Sequence, residues 1–244
     1  SRRMRARVKP LGALAALIIL GTSIDANAGL FGLGGTSWKE EVLLHDGSKI
    51  VVERNMTRHG RHEPGRKPPI GDQSIEFTVP GTNRTLTWHD EYSEDVGSAN
   101  FNPIALHILN GTPYIVNTAY GCTSYNKWGR PNPPYIIFKH DGKAWQRVQT
   151  AELPAEFKTI NLVIAPSNEE KRLNQLGTVP VMEIDKMNRR PVGSQYRTIL
   201  REPMAAERII EMCDELELYR GHWIQRGSAA GRYVVDGIIE RKSK

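Results

Sequence analysis

The run Arg58-His59-Gly60-Arg61-His62 carries the side chains in this sequence that are best suited to phosphate chemistry. A neutral imidazole can attack phosphorus, and guanidinium groups bind phosphate oxygens in pairs. The run follows a strand-like stretch at residues 50–53. These residue types would therefore suit a phosphoryl-transfer site.

Residues 58–64 resemble the R-H-G-x-R-x-P signature of histidine acid phosphatases, in which the His takes the phosphoryl group and the arginines hold its oxygens. The resemblance implies a second His followed by an acidic residue as proton donor, and His89 or His140 fits that description. His62 stands where the signature has its second Arg, and the family's fold is a helix-covered α/β sheet. Residues 58–69 are also rich in Gly, Pro and polar residues, the composition of a surface loop, and we favour that interpretation.

His59 and His62 are also spaced as two metal ligands, but a catalytic zinc site needs three protein ligands and a structural one needs four. The sequence contains no G-x-S-x-G nucleophile elbow and no phosphate-binding glycine loop. We therefore predict no metal and no cofactor. A non-catalytic role is our leading hypothesis, and a small phosphatase-like hydrolase that uses Arg58, His59 and Arg61 is the alternative.

The second candidate is the segment that begins at Tyr120 and ends at Tyr135, here called the aromatic segment (residues 120–135). It interleaves four aromatic residues with amides, an Arg and three prolines. Such a stiff loop can present flat faces beside hydrogen-bonding groups to a protein, peptide or glycan. If the segment binds a partner, we expect Tyr125, Trp128 and Arg130 to contact it. The alternative is equally physical, and we favour it: the aromatics cover the open end of a β core and the prolines stiffen a long connection.

Residues 38–157 resemble exported proteins of proteobacteria that carry no assigned activity. The resemblance is clearest in residues 126–135 (NKWGRPNPPY) and 145–148 (WQRV). It implies an exported location and no catalytic residues.

The amino terminus has the build of a cleavable secretory signal over residues 1–28. Five basic residues precede an apolar block at residues 11–20, and Ala26-Asn27-Ala28 forms an A-x-A site before Gly29. The apolar block is shorter than the roughly 20 residues that cross a bilayer. We expect cleavage between Ala28 and Gly29, a flexible leader over residues 29–37, and a periplasmic or secreted product without a membrane span.

The charge and cysteine content fit that compartment. The first 28 residues account for +4 of the chain's net charge of +6, so residues 29–244 carry +2. A domain so near neutrality lacks the electrostatic signature of a nucleic-acid binder. In an oxidising compartment two cysteines favour pairing, and we predict a disulfide between Cys122 and Cys213.

The elements that position these residues are mainly β. Four turn signals, at residues 46–47, 81–83, 110–111 and 141–142, each separate two short apolar or alternating runs, the pattern of successive hairpins. We predict an antiparallel meander over residues 38–157, sandwich-like or an open barrel. An α-containing extension over residues 158–244 is expected to pack on it, which makes the fold α+β overall.

Within the extension, the sequence pattern assigns each run of residues to an element. We predict strands at residues 159–165 and 233–235, and helices at residues 168–175 and 203–218. Apolar residues at three- and four-residue spacing predict that the longer helix covers the sheet. Cys213 is placed on the inner face of that helix.

Overall fold

The computed structural model describes residues 35–60 and 62–244, all of which belong to one compact unit. The predicted signal peptide, its cleavage site at Ala28 and Gly29, and Arg61 lie outside the described residues. The predicted leader also lies outside them except for its end, where the first strand begins at Thr36.

The first half of this unit is a series of antiparallel hairpins, and the predicted β-rich α+β fold class is confirmed. All four turn signals separate paired strands. At one of them, Asn110 and Gly111 both have positive φ (50° and 74°), as a two-residue hairpin turn requires. The eight strands are β1 (Thr36–Leu43), β2 (Lys49–Arg58), β3 (Ile70–Thr78), β4 (Thr85–Asp90), β5 (Phe101–Leu109), β6 (Thr112–Ala119), β7 (Ile136–His140) and β8 (Trp145–Val148).

The strands form two separate sheets that pack face to face. One has the order β4-β3-β2-β1-β9, where β9 (Thr178–Val179) pairs parallel to β1, and the other has the order β5-β6-β7-β8. Val52 and Trp88 from the first sheet and Leu106 and Ile115 from the second share one buried cluster. The described strands therefore form a sandwich whose main core lies between the sheets.

Residues 153–160 and 196–200 cover the outer face of the four-stranded sheet. Phe157 and Ile199 pack there against Val116 and Ile137 in a second buried cluster. Five helices lie within the described residues: α1 (Cys122–Lys127), α2 (Glu170–Leu176), α3 (Val181–Met187), α4 (Ala206–Met212) and α5 (Ala229–Lys242). Helix α2 confirms the helix predicted at residues 168–175.

Residues 159–165 have no regular secondary structure and do not form the predicted strand. The side chain of Asn161 occupies the edge of β5 instead: its Oδ1 accepts from Leu106 N (2.9 Å) and its Nδ2 donates to Leu106 O (2.8 Å). One amide side chain thus satisfies the main-chain groups that a neighbouring strand would otherwise pair.

The carboxy-terminal predictions were wrong in two places. The helix predicted at 203–218 ends at Met212, and residues 216–219 form β10 (Leu216–Tyr219), which pairs with β11 (His222–Gln225). The chain leaves the helix because the backbone of Cys213 is extended (φ −163°, ψ 124°). The predicted strand at 233–235 lies inside α5, whose first turn is capped by Ser228 Oγ accepting from Gly231 N.

Candidate functional site

Arg58 joins two elements of the fold. Its Nε donates to Glu170 Oε1 (2.6 Å), and its NH1 donates to the carbonyl of Pro68 (2.7 Å). Lys67 binds the same carboxylate from the solvent side. The guanidinium that the phosphatase pattern assigns to a phosphate therefore ties the end of β2 to α2.

His59 lies in a pair with Asp72, with His59 Nε2 and Asp72 Oδ2 2.8 Å apart. The imidazole packs on Tyr92 (ring centroids 4.5 Å apart) and over Gly71, where an added Cβ would lie 1.9 Å from the ring. Partial burial raises the pKa of Asp72. The hydrogen bonds from Tyr92 N, His59 and Thr57 outweigh it, so that this pKa lies below its usual range. A carboxylate that orients an imidazole is an arrangement suited to proton transfer.

The other members of the phosphatase set have separate surroundings. Arg61 lies outside the described residues, and His62 Nδ1 is 3.1 Å from Gly60 O. His89 is exposed on β4, whereas His140 is buried in the second sheet and accepts from Gly142 N (3.1 Å). Among the described residues, no three His, Cys, Asp or Glu side chains are grouped closely enough to hold a metal ion.

The aromatic segment forms helix α1 and then a turn that is packed into the molecule. Tyr125 is buried, its hydroxyl donates to Pro131 O (2.9 Å), and the Arg130 guanidinium lies over its ring at 5.1 Å. Burial raises the pKa of the Tyr125 hydroxyl. Trp128 packs on Phe101 (ring centroids 4.7 Å apart) at one end of the sandwich core.

Arg130 and the disulfide hold the carboxy-terminal chain against this segment. Arg130 donates to the carbonyls of Cys213 (2.8 Å) and Asp214 (2.7 Å). Cys122 and Cys213 form the predicted disulfide, which is confirmed. The Asn126 side chain adds two further bonds, to Asp214 O and from Leu216 N, each 2.9 Å long. The disulfide and these four hydrogen bonds thus fix the point where α4 gives way to β10.

A groove runs along the start of the aromatic segment, on the outer side of the four-stranded sheet. It consists of two hollows that share Asn102, Tyr120 and Tyr196. The larger hollow has a volume of about 450 Å³ and is bounded by residues 163–169 and 187–192. We call the two together the Tyr120 groove.

The smaller hollow, of about 180 Å³, lies beside the disulfide. None of the described residues that line it carries a charge, and three of them are tyrosines. Of the three residues that the sequence predicted to bind, Tyr125 lines this hollow, whereas Trp128 and Arg130 are engaged in the contacts described above. The principal lining side chains are Asn102, Thr118, Tyr120, Tyr125, Gln195 and Tyr196.

Two residues that line the smaller hollow each carry a buried side-chain oxygen that lacks a hydrogen-bond partner. These atoms are Thr118 Oγ1 and Gln195 Oε1, and neither has a partner among residues 35–60 and 62–244. Thr118 is 4% exposed and Gln195 is 7% exposed. Buried polar groups in folded proteins are nearly always paired, and two of the six unpaired buried side-chain atoms among the described residues belong to residues of this one wall.

The position of Gln195 is set by its neighbours. Gly193 has φ +124° and begins a 3-10 turn at Ser194–Tyr196, and a Cβ on Gly193 would lie 2.5 Å from Gln195 Oε1. The hydroxyl of Tyr135 is within hydrogen-bond distance of Gln195 O (3.1 Å) and accepts from Leu200 N (3.1 Å). Burial raises the pKa of Tyr135 to about 12, so this hydroxyl keeps its proton.

Sequence reasoning missed both Thr118 and Gln195. Thr118 lies on β6 among apolar residues, and Gln195 lies in a segment without a motif. The one sequence signal near Gln195 is Gly193, because glycine is the residue that most readily adopts a positive φ.

Comparison with known proteins adds no relative. No family model matches the chain, and no curated protein or solved structure matches it either. Within the part of the chain that the structure describes, no helix is long and apolar enough to cross a membrane.

Proposed function

We propose that this chain is an exported, non-catalytic binding protein of the bacterial envelope, periplasmic or secreted after cleavage between Ala28 and Gly29. Its ligand binds in the Tyr120 groove, at the start of the aromatic segment. Tyr125 contributes to the wall of the groove. Arg130 supports the groove indirectly, because it holds the carboxy-terminal chain that carries Cys213, a residue of the groove wall. Trp128 packs on Phe101 in the sandwich core.

The observation that carries this proposal is the pair of unpartnered atoms, Thr118 Oγ1 and Gln195 Oε1. A buried polar group left without a partner costs about 1–3 kcal/mol. A ligand that supplies a hydrogen bond to each atom removes that cost. The free energy gained in this way would favour the binding of a polar molecule in the smaller hollow.

The export part of the proposal rests on the signal-like pattern of residues 1–28, and the disulfide adds modest support. Disulfides persist in the periplasm and outside the cell and are rare in the cytosol. The Cys122–Cys213 bond also borders the smaller hollow. An oxidising compartment, which preserves this bond, would therefore also preserve the wall of the proposed binding site.

The hydrolase alternative has weaker support. The His59 and Asp72 pair is suited to proton transfer, but Arg58 is bound to Glu170, and neither Arg58 nor His59 lines the Tyr120 groove. Turnover of a generic phosphate ester that is abolished by His59→Ala would favour this alternative over the binding role.

The binding role is tested by NMR titration of the ¹⁵N-labelled protein, as recovered from cells, with neutral hydrogen-bonding probes: a neutral tetrasaccharide and an end-blocked tetra-alanine peptide. At least one probe should shift the amide signals of Thr118 and Gln195. Thr118→Val should weaken that response, and Thr178→Val, the same change at an exposed position on β9, should not. If neither probe perturbs the groove, the proposed function is wrong.

Export is tested separately by cell fractionation. We expect a shortened, oxidised product in the periplasmic or extracellular fraction. Recovery of the uncut, reduced chain from the cytosol would contradict export.

A further inference from the structure

We infer that the ligand of the Tyr120 groove is a neutral oligosaccharide, one sugar ring of which occupies the smaller hollow. This inference rests on the proposed function and names its ligand class.

The neutrality of the ligand follows from the lining of the groove. No described residue around the smaller hollow is charged. In the larger hollow, Arg190 and Glu169 form an ion pair with each other. A charged ligand group would lose its hydration in the smaller hollow without meeting an opposite charge, which strongly disfavours its burial.

The hydroxyl character of the ligand follows from the unpartnered atoms. Gln195 Oε1 accepts only, so it needs a donor, whereas Thr118 Oγ1 can donate or accept. Sugar hydroxyls do both, and they are spaced around a ring whose C–H faces are apolar. The tyrosines at positions 120, 125 and 196 place apolar rings in the wall for such a face. The Tyr125 hydroxyl is already bound to Pro131 O and the Tyr120 hydroxyl to Ile70 N, so these two contribute their rings alone.

A peptide fits less well because the nearby sheet edge is already occupied. Peptides commonly bind by pairing their main chain with an open strand edge. Along β5, Phe101 N donates to Asp90 Oδ2 (2.9 Å) and Phe101 O accepts from Gln73 Nε2 (2.6 Å). Asn161 takes both main-chain groups of Leu106. The main-chain groups of Phe101 and Leu106 are therefore not free to pair with a peptide backbone, and a ligand of the groove must bind mainly to side chains.

The ligand should contain more than one ring. The two hollows share Asn102, Tyr120 and Tyr196, so a chain of rings can pass from one to the other without leaving the groove. The larger hollow is open to solvent beyond Val192, which is 86% exposed, and a longer glycan can continue there.

The experiment measures binding to the whole chain as recovered from cells, by calorimetry and by NMR. The probes are N-acetylglucosamine tetramer and maltotetraose as neutral glycans, with their monosaccharides, an end-blocked tetra-alanine peptide and an anionic galacturonate tetramer. The variants are Thr118→Val and Gln195→Met. Their matched controls are Thr178→Val and Gln225→Met, the same changes at exposed positions on β9 and β11.

We expect at least one neutral tetrasaccharide to bind more tightly than its monosaccharide and than the anionic tetramer. Each groove variant should weaken binding by about tenfold or more, because each removes one ligand hydrogen bond. The controls should leave affinity unchanged. Thr118→Val should retain the Tm of the parent or raise it, since its hydroxyl has no partner in the described fold, and this separates lost binding from lost folding.

The other outcomes contradict the inference in distinguishable ways. Binding of the peptide alone would overturn the glycan assignment and leave the proposed function standing. Equal affinity for the anionic tetramer would overturn the argument for neutrality, and full affinity in Thr118→Val and Gln195→Met would place the sugar elsewhere. Failure of every neutral probe would overturn both this inference and the proposed function.

Discussion

At the scale of single residues, the fold depends on an ion pair that is buried inside the protein. Glu40 and Arg54 are both essentially inaccessible to solvent and form an ion pair at 2.9 Å. Glu40 also accepts from Trp38 Nε1 (2.7 Å) and from Val163 N (3.0 Å). These bonds join the five-stranded sheet to the segment that carries Val163, at the end of the sandwich where α2 and α3 pack.

Removing one partner of this pair should destabilise the protein strongly. In Glu40→Ala the buried Arg54 charge loses its counter-charge, and we expect a loss of about 3–5 kcal/mol in the free energy of unfolding. Urea denaturation provides the measurement. The double variant Glu40→Leu/Arg54→Met should recover much of the loss, because it removes both buried charges. A loss below about 1 kcal/mol in Glu40→Ala would contradict this account.

A second residue-scale prediction concerns acid stability. His107 is buried against Phe157, and burial lowers its pKa from 6.5 to about 4, although its Nε2 bonds to Thr159 O. The folded protein keeps His107 neutral between these pH values, whereas the unfolded chain takes up the proton. Stability should therefore fall as the pH drops from 6.5 to 4, by up to about 3 kcal/mol from this residue alone.

The variant His107→Gln isolates this contribution, because a Gln amide can also donate to the Thr159 carbonyl but does not titrate. Urea unfolding of both proteins at pH 7 and pH 4.5 gives the comparison. The parent should lose more stability than the variant over this interval. Equal losses of stability in the two proteins would show that burial does not lower the pKa of His107.

At the scale of elements, the sequence predicted what local chemistry determines and failed where distant contacts decide. The turn at Asn110 and Gly111 and the alternation in β3 are local signals, and all four hairpins were predicted correctly. The helix predicted through residue 218 was wrong because Arg130 and Cys122, more than 80 residues away in sequence, fix Cys213 in an extended backbone. The groove was missed for the same reason, since Thr118 and Gln195 meet only in the folded chain.

The hairpin of β10 and β11 should depend on Arg130. In Arg130→Ala the carbonyls of Cys213 and Asp214 lose charge-assisted hydrogen bonds, each worth about 1.5–3 kcal/mol. We expect faster hydrogen–deuterium exchange at residues 214–225 and unchanged protection in β5 and β6. Arg208→Ala, which removes an exposed pair with Glu211, serves as the control and should have no such effect. Unchanged exchange in Arg130→Ala would mean that the disulfide and Asn126 hold the hairpin without Arg130.

At the scale of the whole molecule, one covalent bond links the sandwich, the carboxy-terminal chain and the groove. The disulfide joins residues 91 apart in sequence, so it removes a long loop's freedom from the unfolded chain. A loop of this size is worth about 4–5 kcal/mol in the chain-entropy description. Both cysteines also line the smaller hollow, so reduction should affect stability and binding together.

The double variant Cys122→Ser/Cys213→Ser tests that coupling. It should lower the free energy of unfolding by about 4 kcal/mol, and thiol reductants should then have no further effect on its Tm. Because Arg130 and Asn126 still hold Asp214, the variant should keep its fold at moderate temperature and lose affinity for the groove ligand through a looser wall. If the variant matches the parent in both stability and affinity, neither the fold nor the groove needs the disulfide. The disulfide would then no longer support the proposal that the protein acts in an oxidising compartment.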